Sequence, residues 1–191
     1  MTQPKFRVLL ADPPSRSGQL GKRGAERHYE LMSFEEIASM PIADLMLDDS
    51  WCFLWVTNQT LFEEGPAILS RWGFTLVKQP ITWVKLHTGL GSPLRNSTEH
   101  ILVGRRGHPQ HSFRAQPTHL IAPRQGHSVK PDEQFALIER LVGSNGPFLE
   151  LFARRRPKNP AWLAWGREVP GGSDIVIPGY PVPSKGEEAH R

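Results

Sequence analysis

The 191 residues carry 23 Lys and Arg against 19 Asp and Glu, a net charge of +4, with 38% hydrophobic residues, 17 Gly and 18 Pro. The apolar share suffices for a packed core and excludes an intrinsically disordered chain, while Gly and Pro stay below low-complexity levels and predict one loop-rich domain. Cys52 is the only cysteine, no apolar run is long enough to span a bilayer, and the start Met-Thr-Gln-Pro-Lys lacks the apolar stretch of a signal peptide, so a cytoplasmic setting without disulfides is expected.

In chain order, Phe6 to Ala11 is a short apolar run stopped by Asp12-Pro13-Pro14, which predicts a buried strand. Ser15 to Arg27 is polar and rich in Gly and basic residues and predicts a mobile loop beside the strand end. Ser33-Phe34-Glu35-Glu36 has the form of a capping box, flanked by Met32 and Ile37 as a hydrophobic staple; the helix it opens should stop at Pro41. Trp51 to Thr57 reads as an apolar strand, and Leu61, Ile68, Leu69 and Trp72 as a helix closed by Gly73, its first half weakened by Gly65-Pro66. Phe74 to Lys85 is β-rich with a bulge or edge position at Pro80. Gly89, Gly91, Pro93 and Asn96 mark a loop before a strand at His100 to Val103. Pro131 should open a helix as its first residue, with Phe135, Ile138, Leu141 and Val142 on one face and Gly143 as C-cap. Phe148 to Ala153 is the last strand predicted. From Pro170 the Gly- and Pro-rich sequence predicts a poorly ordered tail, residues 170–191, after a folded domain of residues 1–169. Strands alternating with helices predict an α/β fold with a mostly parallel sheet flanked by helices, whose ligands gather at strand C-terminal ends.

Charge is unevenly spread. Between Gly65 and Pro131 the only carboxylate is Glu99, whereas Arg71, Lys78, Lys85, Arg95, Arg105, Arg106, Arg114, Arg124 and Lys130 are basic. One-sided blocks of this kind fit a polyanionic partner. Six of the eight His fall between His87 and His127, but the spacing of His108 and His111 matches no zinc pattern, so no metal site is expected.

Asp12-Pro13-Pro14 at a strand end suits the presentation of hydrogen-bond acceptors to an amino group. The exocyclic amine of adenine is a poor nucleophile because its lone pair is delocalised into the ring. The tripeptide alone also reads as a simple turn; as a site, the Asp12 carboxylate and the Pro13 carbonyl could each take an N–H, drawing the nitrogen toward tetrahedral geometry.

The chain resembles the permuted adenine-N6 methyltransferases of the MT-A-seventy-like family. The matching pieces, in order, are Ala11-Asp12-Pro13-Pro14, His28-Tyr29-Glu30-Leu31-Met32-Ser33, Phe53-Leu54-Trp55-Val56-Thr57, Trp72-Gly73-Phe74, Trp83-Val84-Lys85, Glu99-His100-Ile101-Leu102-Val103-Gly104 and Arg106-Gly107. They continue through Ser128-Val129-Lys130-Pro131-Asp132-Glu133, Ile138-Glu139-Arg140-Leu141 and Glu150-Leu151-Phe152-Ala153-Arg154. The resemblance implies a Rossmann-like fold with S-adenosylmethionine as methyl donor, the catalytic motif preceding the cofactor motif. It implies catalytic roles for Asp12, Pro13, Pro14 and the position of Ser15. Donor contacts would come from Asp12, Lys130, Glu150, Phe152, Ala153, Arg154, Arg167 and Glu168. Nucleic-acid contacts are expected at His28, Tyr29, Lys85, Arg95, Glu99, Arg105, Arg106 and Arg114, with loops at residues 15–27, 87–97 and 104–117 gripping an adenine flipped out of its stack. DNA is expected ahead of RNA, by analogy with small phage and bacterial members, acting as a monomer or with a homologous subunit.

Three departures accompany the resemblance. Ser15 stands where the family has an aromatic residue, nearly always Trp, so the ring that stacks on the target adenine is missing. Gly166-Arg167-Glu168 replaces a Gly-Asn-acid or amide motif. Eleven residues precede Asp12, so a donor-adenine contact made from farther upstream in the family is expected from another part of the chain. The alternative implied by Ser15 is an impaired or inactive homologue that binds nucleic acid or serves as a partner subunit.

Overall fold

The computed structural model describes residues 4–16, 31–89, 92–125 and 129–182. His28, Tyr29 and most of the 15–27 loop lie outside these residues, as do residues 183–191.

Among the described residues, seven strands form one sheet, in the order β5-β3-β4-β2-β1-β6-β7. They are β1 (Phe6–Ala11), β2 (Met46–Val56), β3 (Thr75–Val84), β4 (Thr98–Arg106), β5 (His119–Ile121), β6 (Phe148–Leu151) and β7 (Trp162–Trp165). Strand β4 is antiparallel to both neighbours, and every other pairing is parallel. The expected mostly parallel sheet is therefore present. The described residues also include four short helices, α1 (Phe34–Ala38), α2 (Ile42–Leu45), α3 (Glu64–Arg71) and α4 (Glu133–Val142).

Side chains alternate between two cores, as a sheet covered on both faces requires. Leu9, Ala11, Cys52, Leu54 and Val56 join Ile37, Ile42, Leu69 and Trp72 on the α1–α3 face. Val8, Leu10, Phe53 and Trp55 join Leu137, Ile138 and Val142 of α4 on the other. Strand β1 sits centrally, with β2 on one side and β6 on the other. Its C-terminal end is thus the point where strand order reverses, the usual place for a ligand crevice in such sheets.

The capping box forms as expected: the Ser33 hydroxyl accepts from Glu36 N–H and the Glu36 carboxylate from Ser33 N–H. Pro80 coincides with a register shift between Val77 and Ile81. Gly73 and Gly143 take positive φ at helix ends.

Other expectations are corrected. The turn region after Thr57 delays α3 to Glu64, and Gly65 lies inside it, where a Cβ would come within 2.7 Å of the Val56 and Leu102 side chains. Pro131 is not the first helical residue; Asp132 is the N-cap, two residues nearer the C-terminus than expected. The segment at residues 170–182 is packed rather than poorly ordered: Ile175 and Ile177 are buried in the core, and Asp174 bonds Ala164 of the edge strand β7 through both backbone and carboxylate. Arg156 fastens the same segment through the Pro170 and Gly172 carbonyls and the Asp174 carboxylate.

Candidate active site

A cavity of about 850 Å³ opens along the C-terminal ends of β2, β1, β6 and β7. Asp12, Pro13, Pro14 and Ser15 follow β1; Phe152, Ala153 and Arg154 follow β6; Trp165, Gly166, Arg167 and Glu168 end β7. Thr57, Glu99 and Lys130 close one side, and Gly179 to Val182 contribute to another wall.

At the β1 end the charges alternate. Lys130 Nζ donates to both Asp12 carboxylate oxygens at 2.7 and 2.8 Å and lies 3.5 Å from Glu99. The other Glu99 oxygen accepts from Lys85. Burial alone would push Glu99 upward, but the charges of Lys130 and Lys85 prevail and hold it below the usual carboxylate range. Burial likewise disfavours the Lys130 charge, and Asp12 and Glu99 overcome it, leaving the ammonium pKa raised. Both sites are thus charged at neutral pH.

Two indoles support these lysines. Lys130 sits 5.2 Å above the Trp55 ring and Lys85 5.1 Å above Trp83, contacts that stabilise a cation on a ring face. Trp55 is fixed in turn by donating to the buried Gln134 side chain at 2.7 Å.

The Pro-Pro corner is held by its own backbone. Pro13 carbonyl accepts from Ser15 N–H and Pro14 carbonyl from Met32 N–H, while Arg16 N–H returns to Met32 carbonyl. Of the loop expected at residues 15–27, the described Ser15 and Arg16 are thus held by backbone bonds beside Asp12.

On the β6 side, Phe152 has φ of +61° although it is not glycine. Such a residue stores roughly 1–3 kcal/mol of strain, which the surroundings must compensate. Its ring meets Trp165 edge-on at 5.4 Å. Gly166 is required where the β6 and β7 ends converge, since a Cβ there would lie 2.3 Å from Ala153 O. Arg154 pairs with Glu168 at 3.6 Å.

Glu150 differs from expectation. It does not line the cavity, its Oε2 atom is buried without a partner, and desolvation raises its pKa to about 8, opposed by Arg155 and reinforced by Asp12 and Asp132. Burial thus favours the neutral form of this carboxyl.

The expected nucleic-acid residues divide by strand direction. Lys85 and Glu99 belong to the Asp12 cluster, and Arg95 is exposed on the adjoining loop, which Asn96 ties to Asn58 just beyond β2. Because β4 runs antiparallel, Arg105 and Arg106 lie at the opposite end of the strands from the cavity, paired with Trp51 and Ser50. Arg106 turns inward to the Ala43 carbonyl and Asp48. Arg114 follows Phe113, whose N–H bonds Leu141 at the C-terminal end of α4, whereas Lys130 precedes the N-terminal end. These three are not brought to the cavity. Trp165, Tyr180 and Val182 line it without having been expected; the Ile177-Pro178-Gly179-Tyr180 turn is the signal that marks their segment as structured. Among the described residues no group of three or more His, Cys, Asp or Glu is placed to hold a metal ion, and no helix is long and apolar enough to cross a membrane.

The MT-A70 family model matches residues 6–168, from the start of β1 to the end of the Gly166-Arg167-Glu168 segment. The chain belongs to the MT-A70 family. It is 35% identical over 176 residues to the zebrafish (Danio rerio) protein named N(6)-adenosine-methyltransferase subunit METTL3, covering 87% of this chain and 28% of that one. The human catalytic subunit METTL3 is 34% identical over 176 residues, with 87% of this chain and 29% of that protein covered. The Cryphonectria parasitica protein named N6-methyladenosine RNA methyltransferase MTA1 is 31% identical over 179 residues, with 52% of its length covered. The chain spans about three tenths or less of most of these MT-A70-like relatives. They are eukaryotic, and the expected affinity to phage and bacterial DNA-modifying members finds no support in them.

Proposed function

We propose that this MT-A70 domain transfers a methyl group from S-adenosylmethionine to the N6 amine of adenine in a polynucleotide. The observation that carries the reading is the Asp12-Pro13-Pro14 corner at the end of β1, opening on a cavity with a charged and an aromatic pole. The volume falls in the range of small-molecule sites. Lys130 and Arg154 offer cations to a carboxylate, and Phe152 and Trp165 an apolar wall to a purine. The donor supplies, when bound, an electrophilic methyl on a sulfonium sulfur.

Asp12 and Pro13 orient the acceptor. Lys130 leaves lone pairs on both Asp12 oxygens, and Pro13 carbonyl keeps a second lone pair beyond its bond to Ser15, so each can accept one N6 hydrogen. Methyl transfer would leave the bonding electron pair on the donor's sulfur and a positive charge on N6, which the Asp12 carboxylate and the Pro13 carbonyl would face. Asp12, at the end of β1 in the cavity lining, would take the proton that then leaves. The relatives' names speak of adenosine and RNA, which favours RNA over the DNA expected from chain size; a duplex adenine would have to be flipped outward.

Incubation with labelled donor and adenine-containing RNA or DNA oligonucleotides tests the proposal. Label is expected in N6-methyladenine and lost in Asp12→Asn. Ser15 favours a second reading, a partner-type subunit that binds polynucleotide without methylating it; binding of S-adenosylhomocysteine without any transfer would support that reading instead.

A further inference from the structure

The segment at residues 177–182 turns back across the cavity wall. Ile177-Pro178-Gly179-Tyr180 is a tight turn, with Tyr180 N–H on Ile177 carbonyl at 3.0 Å and Gly179 at φ +81°. Pro and Gly at its two central positions are the residues a type II turn selects. The Tyr180 hydroxyl donates to Glu36 carbonyl at 2.7 Å, fastening the turn to α1. Tyr180 and Val182 pack against the core cluster that contains Trp165, and all three line the cavity. The Trp165 indole N–H is buried without an acceptor, although the residue is 3% exposed. The strained Phe152 ring completes this end. Neighbouring strands are about 4.8 Å apart, so the Trp165 end lies roughly 10 Å from Asp12, two strands away. A ligand with a charged amino-acid end and a purine end has the length to span the two poles.

We propose that residues 177–182 form the wall against which the adenine ring of the methyl donor rests, with Tyr180 and Val182 in contact with it beside Trp165. The C-terminal segment thus builds part of the donor site. This rests on the donor assignment made above.

Hydrogen exchange and calorimetry with S-adenosylhomocysteine alone, with no polynucleotide present, test it on the full chain. Saturating ligand is expected to slow exchange at Tyr180 and Val182 amide-adjacent peptides spanning 177–182. Tyr180→Ala should weaken binding roughly fivefold to 150-fold, the range of base–aromatic contacts, while Tyr180→Phe, which keeps the ring, should stay within about threefold of wild type on the same scale. Unchanged exchange at 177–182 in the presence of bound ligand overturns the proposal, as does unchanged affinity in a Tyr180→Ala protein whose circular dichroism is native. Protection seen only with polynucleotide assigns the wall to the substrate and also overturns it. Failure of the wild-type chain to bind S-adenosylhomocysteine at all overturns the donor assignment itself.

Discussion

Asp12 and Lys130 come from positions 118 residues apart, yet their contact organises the site. An Asp12→Asn variant keeps the shape and loses one charge-assisted acceptor. Its turnover is expected to fall by about 10²–10³-fold, the usual effect of removing a positioned electrostatic group, as measured by methyl incorporation into an adenine oligonucleotide. Ser15 offers the converse test. Restoring a ring with Ser15→Trp should improve kcat/KM roughly fivefold to 150-fold through stacking on the target base; a silent Ser15→Trp, with donor bound, would favour the partner-subunit reading. Glu150 predicts a pH dependence of stability. Its carboxyl ionises near 4.5 when unfolded and near 8 in the native state. Between those values the native state holds the extra proton, so the contribution is complete below about pH 4.5 and declines as pH rises through 8. Melting temperatures of Glu150→Gln should gain steadily on wild type from pH 5 to 8 and then level off; parallel curves would refute it. The position of Asp12 at a strand end was legible because its neighbours are prolines, whereas the burial of Glu150 depends on the pairing of β6 with β1 and β7, which no local pattern encodes.

Elements were readable where chemistry acts over a few residues. The capping box of α1, the bulge at Pro80 and the glycine at the end of α4 each follow from one side chain or one missing N–H. Strands β5 and β7 were not: neither is marked by its own sequence, and they exist through pairing with β3 and β6. The direction of β4 was equally hidden, and it decides which of its charges meet the cavity. Gly166 shows how elements constrain the site. Its Cβ would meet the Ala153 backbone, whereas at Gly65 the nearest atoms are the side-chain ends of Val56 and Leu102. Gly166→Ala is expected to cost about 1–3 kcal/mol or more and to exceed Gly65→Ala, because backbone yields less than a methyl group. Thermal melts of both variants, with and without S-adenosylhomocysteine, check the order; the ligand shift should shrink only in Gly166→Ala.

Across the whole molecule the basic residues are sorted by strand end. Glu99 and Arg105 are six positions apart on β4, about 20 Å at the rise of a strand, so charges adjacent in sequence serve opposite ends. Arg95→Ala should reduce the slope of log affinity against log salt for an adenine oligonucleotide by about 1, and Arg105→Ala should leave it unchanged; equal slopes in the two variants would contradict this sorting. Central placement of β1 has a further consequence, in time rather than space. Its β6 partner is made roughly 140 residues after it, on the order of ten seconds at translation rates of ~5–20 residues per second. Throughout that interval a strand flanked on both sides in the native sheet has one flank open, and the 177–182 segment has not been made. The domain is therefore expected to be captured by chaperones, or lost to aggregation, as a nascent chain ending before residue 148, and to become protease-resistant only after β6 has emerged from the ribosome.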